Sequence, residues 1–354
     1  MSMRSNGNGG APGLTGSAGA IHIRDRMSGL CSLVLPELRA VANELPERLR
    51  DVAGYHFGWY DDHGRPTIGD PGKLVRPTLT LLSARAAGGM VEHALPAALT
   101  VELVHNFSLL HDDVMDGGTV RRHRRTVWSA FGTADAILLG DALLVLAFKS
   151  LARLGQTNSA TLCDTLLEMV YGQSLDLAFE KEEGITADDA LAVAAGKTGA
   201  LMGYACYLGA LSAGTDGRRA EHFRQFGENL GIAFQLVDDI LGLWGDPEAI
   251  GKPVHTDLQA RKKTLPVVAA LAGGTVAAGR FATRYRGRAR FSAGECAELS
   301  TLIEDAGGRA AAERRARRAF ADAVDALDLA RPVPEAHAEL LALADVLTRP
   351  DDRR

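Results

Sequence analysis

Apolar residues recur at intervals of three and four along almost the whole chain from Ile21 to about Leu347. That period belongs to helices that each bury one face. It predicts helices over Ala97 to Met115, Ala134 to Leu154, Ser159 to Phe179, Arg218 to Leu243 and Lys263 to Ala272. No strand-like alternation closed by hairpin turns competes with it. Gly69, Pro71 and Gly72, then Gly117 and Gly118, Gly245 and Pro247, and Gly251 and Pro253 punctuate the pattern. Several segments are apolar on most faces, which places them at the centre of a large helical bundle. The expected fold class is all-α.

Residues 1-20 depart from this pattern. They are rich in Gly, Ser and Asn and hold few large apolar groups, so they cannot bury enough surface to offset the entropy of ordering. A disordered, solvated tail is expected there, with docking to a protein partner as the sharper alternative. One all-helical domain is expected over residues 21-354. The basic stretch Arg309 to Arg318 reads as a solvated helix face. A weak repeat relates two aspartate-bearing helices, and no short-period repeat accompanies it.

Composition narrows the function classes. Of the 354 residues, 46% are apolar and 6% aromatic, and the formal net charge is −5. No aromatic residues interleave with a basic stripe, so nucleic acid is set aside as a partner. Cys31, Cys163, Cys206 and Cys296 show neither CxxC nor Cys/His spacing, which argues against zinc and a disulfide framework and for a reducing cytoplasm. Nothing reads as a signal peptide, and no apolar run reaches the roughly 18 residues of a transmembrane span.

The candidate chemistry lies in two carboxylate clusters. Asp112, Asp113 and Asp116 end the apolar segment containing Val101, Leu103, Val104, Phe107, Leu109 and Leu110. At about 100° per residue, Asp112 and Asp116 share a face, and His105 falls within about 20° of Asp112. Gly117 and Gly118 then stop the helix, leaving three carboxylates at the end where the macrodipole is already negative. Such crowding calls for cations. Asp238 and Asp239 lie near the end of a second apolar helix that runs out at Gly245, with Gln235 on their face. N-capping does not explain either cluster, because Asp caps favour the opposite helix end. Hard carboxylate oxygens facing each other across a gap suit Mg²⁺, which keeps water and takes further ligands from substrate phosphates.

Cationic residues are interleaved with these acids. Lys73 and Arg76 occupy a Gly-Lys-Leu-Val-Arg-Pro loop, where an ammonium and a guanidinium could grip one diphosphate. Arg121 and Arg122 follow the first cluster. Lys197 with Thr198, then Lys252 and Lys262, come near the other carboxylates in sequence order.

In this order the set resembles the trans-prenyltransferases, the isoprenyl diphosphate synthases that make farnesyl, geranylgeranyl and longer diphosphates. Motif detail runs from about Pro71 to Pro266: the GKxxRP loop, DDxxD at Asp112 to Asp116, the arginine pair, GQxxDL at Gly172 to Leu177, KT at Lys197 and Thr198, FQ at Phe234 and Gln235, and a second aspartate motif from Asp238. The resemblance implies the isoprenoid synthase fold, a single-domain bundle of antiparallel helices around a central apolar cavity, and a homodimer. It implies Mg²⁺ bound through Asp112, Asp116 and Asp238, three ions with substrate present, and supporting places for Asp113, Asp176 and Asp239. Arg121, Lys197 and Lys252 would hold an allylic diphosphate. Lys73, Arg76, His105 and Arg122 would hold isopentenyl diphosphate. Thr198 and Gln235 would set oxygen dipoles beside the cationic carbons, and Lys262 would help close the C-terminal loop.

The implied reaction is ionisation of the allylic diphosphate in a site closed to water, attack by isopentenyl diphosphate, and proton loss to the released diphosphate. Phe107 lies five residues before Asp112 and Ser108 four before, and the resemblance implies from a single aromatic there a short-chain enzyme, with the C20 geranylgeranyl product ahead of C15 farnesyl diphosphate. Two departures stand out. Gly242 occupies the place of a third aspartate in the second motif, with Asp246 a distant candidate to compensate, and Leu74 occupies a place that is often basic. A terpene cyclase shares the fold and the ionisation, but the set Lys73, Arg76, His105 and Arg122 argues against it. An inactive partner-binding subunit is disfavoured by the intact aspartates and Lys197.

Overall fold

The computed structural model describes residues 17–67, 72–155, 159–247, 254–286 and 291–349. Within them the helices run α1 Ser17–Ala42, α2 Glu47–His56, α3 Val75–Ala86, α4 Leu95–Met115, α5 Val127–Phe131, α6 Thr133–Ala152, α7 Ser159–Phe179, α8 Ala187–Ala194, α9 Ala200–Ser212, α10 Gly217–Trp244, α11 Thr256–Gln259, α12 Leu265–Leu271, α13 Val276–Tyr285, α14 Ala293–Asp305, α15 Gly308–Leu329 and α16 Pro334–Thr348. All five helices expected from the apolar period are present, with ends displaced by a residue or two. Helix α1 begins at Ser17, inside the stretch expected to be a tail. Residues 1–16 lie outside the described residues.

The most apolar helices are central, as their lack of a polar face requires. In α4 the side chains of Leu99, Val101, Leu103 and Val104 are fully buried, and in α9 those of Ala205, Cys206 and Ala210. Helix α4 packs along α6, α3 along α9, and α10 lies between α9 and α15. The main core gathers Leu79, Leu81, Leu99, Leu103, Tyr204, Phe223 and Phe226. A second cluster around Leu243, Leu258, Phe281, Tyr285 and Ile303 seats the short C-terminal helices against the end of α10.

Polar residues fix the helix ends. Thr186 and Ser292 form capping boxes with Asp189 and Glu295. Asp216 accepts the Arg219 amide at the start of α10. The Arg219 guanidinium donates to the carbonyls of Ala330 at 2.8 Å, Ala87 at 3.0 Å and Arg331 at 3.0 Å, satisfying orphan carbonyls at the ends of α3 and α15. Among the described residues no single helix is long and apolar enough to cross a membrane.

One element departs from the helical expectation. Val120–Arg121 and Arg124–Arg125 pair as a two-residue antiparallel hairpin. Its turn residues, Arg122 and His123, both have positive φ, 50° and 59°. A type I′ turn requires that conformation and usually recruits Asn and Gly for it. Here it is imposed on an arginine and a histidine, so the sequence carries no turn signal, and the strain points to a functional constraint.

Candidate active site

The C-terminal end of α4 carries Asp112, Asp113 and Asp116, and Asp116 is its terminal cap. Asp176 projects from α7 towards the same point. Two lysines lie among these acids. Lys197 Nζ is 2.9 Å from Asp176 and 3.9 Å from Asp112. Lys262 Nζ is 3.1 Å from Asp116 and 3.2 Å from Asp176. Burial by itself would raise the Asp176 carboxyl, but Lys197 and Lys262 overcome this and hold it below its ordinary range. Asp112 goes the other way: desolvation pushes it up despite Lys197. For Lys262, burial would favour the neutral amine, and the carboxylates of Asp176, Asp116 and Asp257 outweigh that and raise it. The Lys262 ammonium therefore remains charged among crowded carboxylates.

Close helix contact makes this cluster possible. A Cβ at Gly172 would meet the Lys197 backbone nitrogen at 2.6 Å and the Gly196 Cα at 2.9 Å. Only glycine lets α7 approach the Lys197 segment so closely, and Asp176 lies one turn further along the same face of α7. The Lys197 segment is itself irregular: Ala195–Gly199 forms a π-helical turn between α8 and α9. Such turns break the regular bonding ladder and reorient side chains, often at functional sites.

A second chain of contacts runs from this turn to α10. Thr198 Oγ1 donates to Gln235 Oε1 at 2.7 Å, and Gln235 Nε2 donates to Asp239 at 2.9 Å. Thr198 of the π-helical turn is thus tied to Gln235 of α10, the helix that carries Asp238 and Asp239. Burial pushes the Asp239 carboxyl up to about 8, with Asp257, Asp238 and Asp176 adding repulsion. Asp238 is half-buried on the same helix, and Asp246 is exposed beyond its end.

Asp113 turns aside from the lysines to Arg121, which donates through Nε at 2.9 Å and Nη2 at 2.8 Å. The hairpin is anchored at its base, where Thr126 and Trp128 both donate to the Gly118 carbonyl, at 2.8 and 2.7 Å. At its tip, the Arg122 guanidinium lies against Gly72, where a Cβ would run into it. The loop bearing Lys73, which leads into the first turn of α3 and Arg76, is thereby brought to the hairpin. Lys73 is exposed in that loop. Leu74 adopts φ 45° and is only 5% exposed, so this position, often basic in the family the motifs resemble, serves the core instead.

Arg76 reaches inward, its Nη1 3.2 Å from His105 Nε2. Desolvation lowers it to about 10, offset in part by Glu102, and burial, with repulsion from Arg76 added, holds His105 well below the usual histidine range. Behind it lies a buried network that the sequence reading missed. Asn106 donates to Glu102 Oε1 at 2.7 Å and to the Glu102 carbonyl at 2.8 Å, and its amide oxygen faces His56 Nε2 at 2.9 Å. With both Asn106 hydrogens committed to Glu102, His56 must be the donor. Burial pushes Glu102 up to about 7. The available signal was a glutamate set inside a stretch otherwise as apolar as Val101, Leu103 and Val104.

Phe107 packs against His111, with ring centroids 4.8 Å apart. His111 Nε2 lies 3.2 Å from the Ile137 carbonyl of α6, and its ring fills the place where a side chain at Gly140 would stand. Lys252 lies outside the described residues, as do Gly69, Pro71, Gly251 and Pro253.

A helical bundle whose facing helices gather acids and ammonium groups, flanked by an arginine hairpin and a buried guanidinium, has the charge pattern of an all-helical protein with a site for an anionic substrate. The chain belongs to the polyprenyl synthetase family, which its residues 58–300 match, and is a prenyl diphosphate synthase, a transferase. It is 43% identical over 300 residues to the (2E,6E)-farnesyl diphosphate synthase of Mycobacterium tuberculosis, covering 83% of this chain and 84% of that one. It is also 43% identical over 319 residues to the geranylgeranyl diphosphate synthase of the same organism, covering 89% and 90%. The crystal structure of a polyprenyl synthetase from Streptomyces coelicolor superposes with a TM-score of 0.87 at 42% identity, over 93% of this chain and all of that one.

Proposed function

We propose that this short-chain trans-prenyl diphosphate synthase condenses isopentenyl diphosphate with allylic diphosphates, in the presence of Mg²⁺, to give C20 geranylgeranyl diphosphate. The observation that carries this reading is the placement of Lys197 and Lys262 among Asp112, Asp116 and Asp176. Acids crowded around ammonium groups suit a substrate that brings both anions and divalent cations.

The donor chemistry fits Mg²⁺. All the acids are hard oxygen ligands, and among the described residues no three of them converge as a ready-made cage. Mg²⁺ commonly takes one or two carboxylates and completes its shell with water and substrate phosphate. Asp112, Asp116 and Asp238 would hold the ions, with Asp113, Asp176 and Asp239 supporting. When bound, Mg²⁺ supplies positive charge to the departing diphosphate.

The chain's own groups do the rest. Arg121, Lys197 and Lys252 hold the allylic diphosphate, and their charge offsets the negative charge that grows as the carbon–oxygen bond ionises. Thr198 and Gln235, fixed by their mutual hydrogen bond, direct oxygen dipoles at the cationic carbons. Lys73, Arg76, His105 and Arg122 hold isopentenyl diphosphate so that its double bond attacks that carbon. Arg76 donates to His105, which leaves the imidazole neutral and its other nitrogen free to donate. The released diphosphate takes the final proton.

Product length is set by Phe107. Its ring is backed by His111, which α6 holds in place through the Ile137 carbonyl and the absent side chain of Gly140. The small Ser108 leaves room for a C20 chain. Ile137, Leu138 and Val145 on α6, and Leu167, Val170 and Tyr171 on α7, are exposed large apolar groups. Their helical spacing supports a homodimer formed through these two helices.

Incubation with Mg²⁺, isopentenyl diphosphate and dimethylallyl, geranyl or farnesyl diphosphate, followed by mass analysis, tests the reading. Geranylgeranyl diphosphate from all three is expected. A hydrocarbon product, or no elongation, overturns it.

A further inference from the structure

The turn at Arg122 and His123 keeps a backbone conformation that neither residue prefers, so contacts outside the turn must hold it. We propose that Arg124 is a positioning residue: it clamps the hairpin to the end of α2 and so sets where Arg122 meets isopentenyl diphosphate. The inference rests on the substrate-binding role given above to Arg122.

The clamp has rigid acceptors. Arg124 Nη1 donates to the Tyr55 carbonyl at 3.1 Å, and Nη2 donates to the Tyr60 carbonyl at 2.7 Å. Its guanidinium carbon stands 4.4 Å from the centroid of the Tyr55 ring, within range of a cation–π contact. In return the Tyr55 hydroxyl donates to the Arg125 carbonyl at 2.7 Å. Tyr55 is buried in α2, and the Phe131 ring meets it edge-on at 5.0 Å. Tyr60 is fixed as well: its amide donates to the Gly54 carbonyl, and its ring fills the place where a side chain at Gly54 would stand. Two carbonyls at a set separation suit the planar fork of a guanidinium, which a single ammonium cannot reproduce.

Apolar packing does little to hold the hairpin. Val120 is 64% exposed, and Arg121, His123 and Arg125 are exposed. A cleft of about 40 Å³, bounded by Tyr55, His56, Leu109, Asp113 and Thr126, lies against it. Polar contacts must therefore fix its place. Thr126 and Trp128 tie the base to the Gly118 carbonyl, and Asp113 holds Arg121. Arg124 follows directly on the turn.

The two substrate-facing arginines depend on the clamp unequally. Arg121 has its own tether on α4, whereas Arg122 sits in the strained turn that Arg124 closes. Arg122 also bears on Gly72, so a displaced turn disturbs the loop of Lys73 as well. Arg124 itself spends its donors on backbone carbonyls and its face on Tyr55, so it acts through Arg122 rather than on a diphosphate.

Elongation of geranyl diphosphate by the whole protein with Mg²⁺, titrated in each substrate in turn, gives both KM values. In Arg124→Met the KM for isopentenyl diphosphate is expected to rise about tenfold, as for the loss of hydrogen bonds to one charged group. The KM for geranyl diphosphate and kcat should stay near the wild type. Arg124→Lys keeps the charge without the fork and should recover only part of the loss. Tyr55→Phe loses only the bond to the Arg125 carbonyl; it should shift the same KM by a smaller factor, and it carries the test where Arg124→Met does not fold. Arg219→Met removes a guanidinium that bridges carbonyls elsewhere in the bundle, so it should lower the melting temperature without moving either KM. An unchanged KM for isopentenyl diphosphate in folded Arg124→Met, or in Tyr55→Phe where Arg124→Met does not fold, overturns the proposal. So does an equal rise in both KM values. Full recovery in Arg124→Lys would assign the effect to charge, and a matching rise in Arg219→Met would assign it to lost stability; either overturns the clamp. Arg122→Met is the reference for the site: if its KM for isopentenyl diphosphate is normal, the binding role of Arg122 fails instead.

Discussion

Lys262 and Asp116, 146 positions apart in the chain, are joined by an ion pair of 3.1 Å. The contact closes the end of α4 against the segment that follows α10, and Asp176 of α7 completes it at 3.2 Å from the same ammonium. Two helices and a connecting segment, all distant in sequence, therefore meet at one charged point. With Lys262 only 13% exposed at its side chain, the ion pairs are shielded from the solvent screening that makes surface pairs weak.

Replacing Lys262 by Met leaves Asp116 and Asp176 facing each other without their shared cation. Losing one partner of a largely buried pair costs on the order of 3 kcal/mol. The variant should melt several degrees lower than the wild type. Added Mg²⁺ with inorganic pyrophosphate should restore more of its melting temperature than it adds to the wild type, as read in a thermal shift titration.

Asp112→Ala removes a carboxylate without uncoupling the frame, because Lys197 keeps its 2.9 Å contact with Asp176. Turnover should fall by on the order of 10²- to 10³-fold, with little change in melting temperature. Steady-state kinetics and calorimetry on the same preparation check both halves of this expectation.

Gly172→Ala should act through the backbone. Its Cβ would lie 2.6 Å from the Lys197 nitrogen, so α7 or the π-helical turn must move. Forced overpacking of this kind costs roughly 1–3 kcal/mol. Because Asp176, Lys197 and Thr198 ride on the displaced elements, kcat should drop more than KM rises. A variant with normal kinetics would show that the close approach is not what positions the lysine.

Glu102 gives a pH signature. Its folded-state pKa, raised by burial from 4.5 to about 7, means that the native chain binds the proton more tightly than the unfolded chain does. Stability therefore falls as pH rises from about 4.5 through about 7, and levels off above that. Glu102→Gln cannot ionise and should not show this loss. The wild type should decline relative to the variant by up to about 3 kcal/mol across that window, measured by urea unfolding at a series of pH values.

Phe107→Ala should lengthen the product. Removing the ring opens the space that His111 only borders, and prenyl chains beyond C20 should appear in the product spectrum. Gly140→Ala, which displaces His111 from its seat against α6, should alter the product distribution without touching the acids. Unchanged products in both variants would remove this pair from the control of length.

The sequence by itself determined the helices and the chemistry. Apolar residues every three or four positions specified α4, α6, α7, α10 and α12, because each must bury one face or nearly all of its surface. The order of Asp112, Asp116, Lys197, Gln235 and Asp238 along the chain specified the family. What tertiary structure alone decided were contacts between groups with no local sequence signal. The hairpin turn at Arg122 and His123 lacks the Asn or Gly that would have announced it, because surrounding contacts rather than local preference enforce its backbone. The π-helical turn at Lys197 follows from packing against Gly172. The network of Glu102, Asn106 and His56 spans two helices, and the clamp of Arg124 on the Tyr55 and Tyr60 carbonyls depends on how the hairpin folds back onto α2. Periodicity reports which face of a helix is buried, but not which residue of a distant element will meet it there.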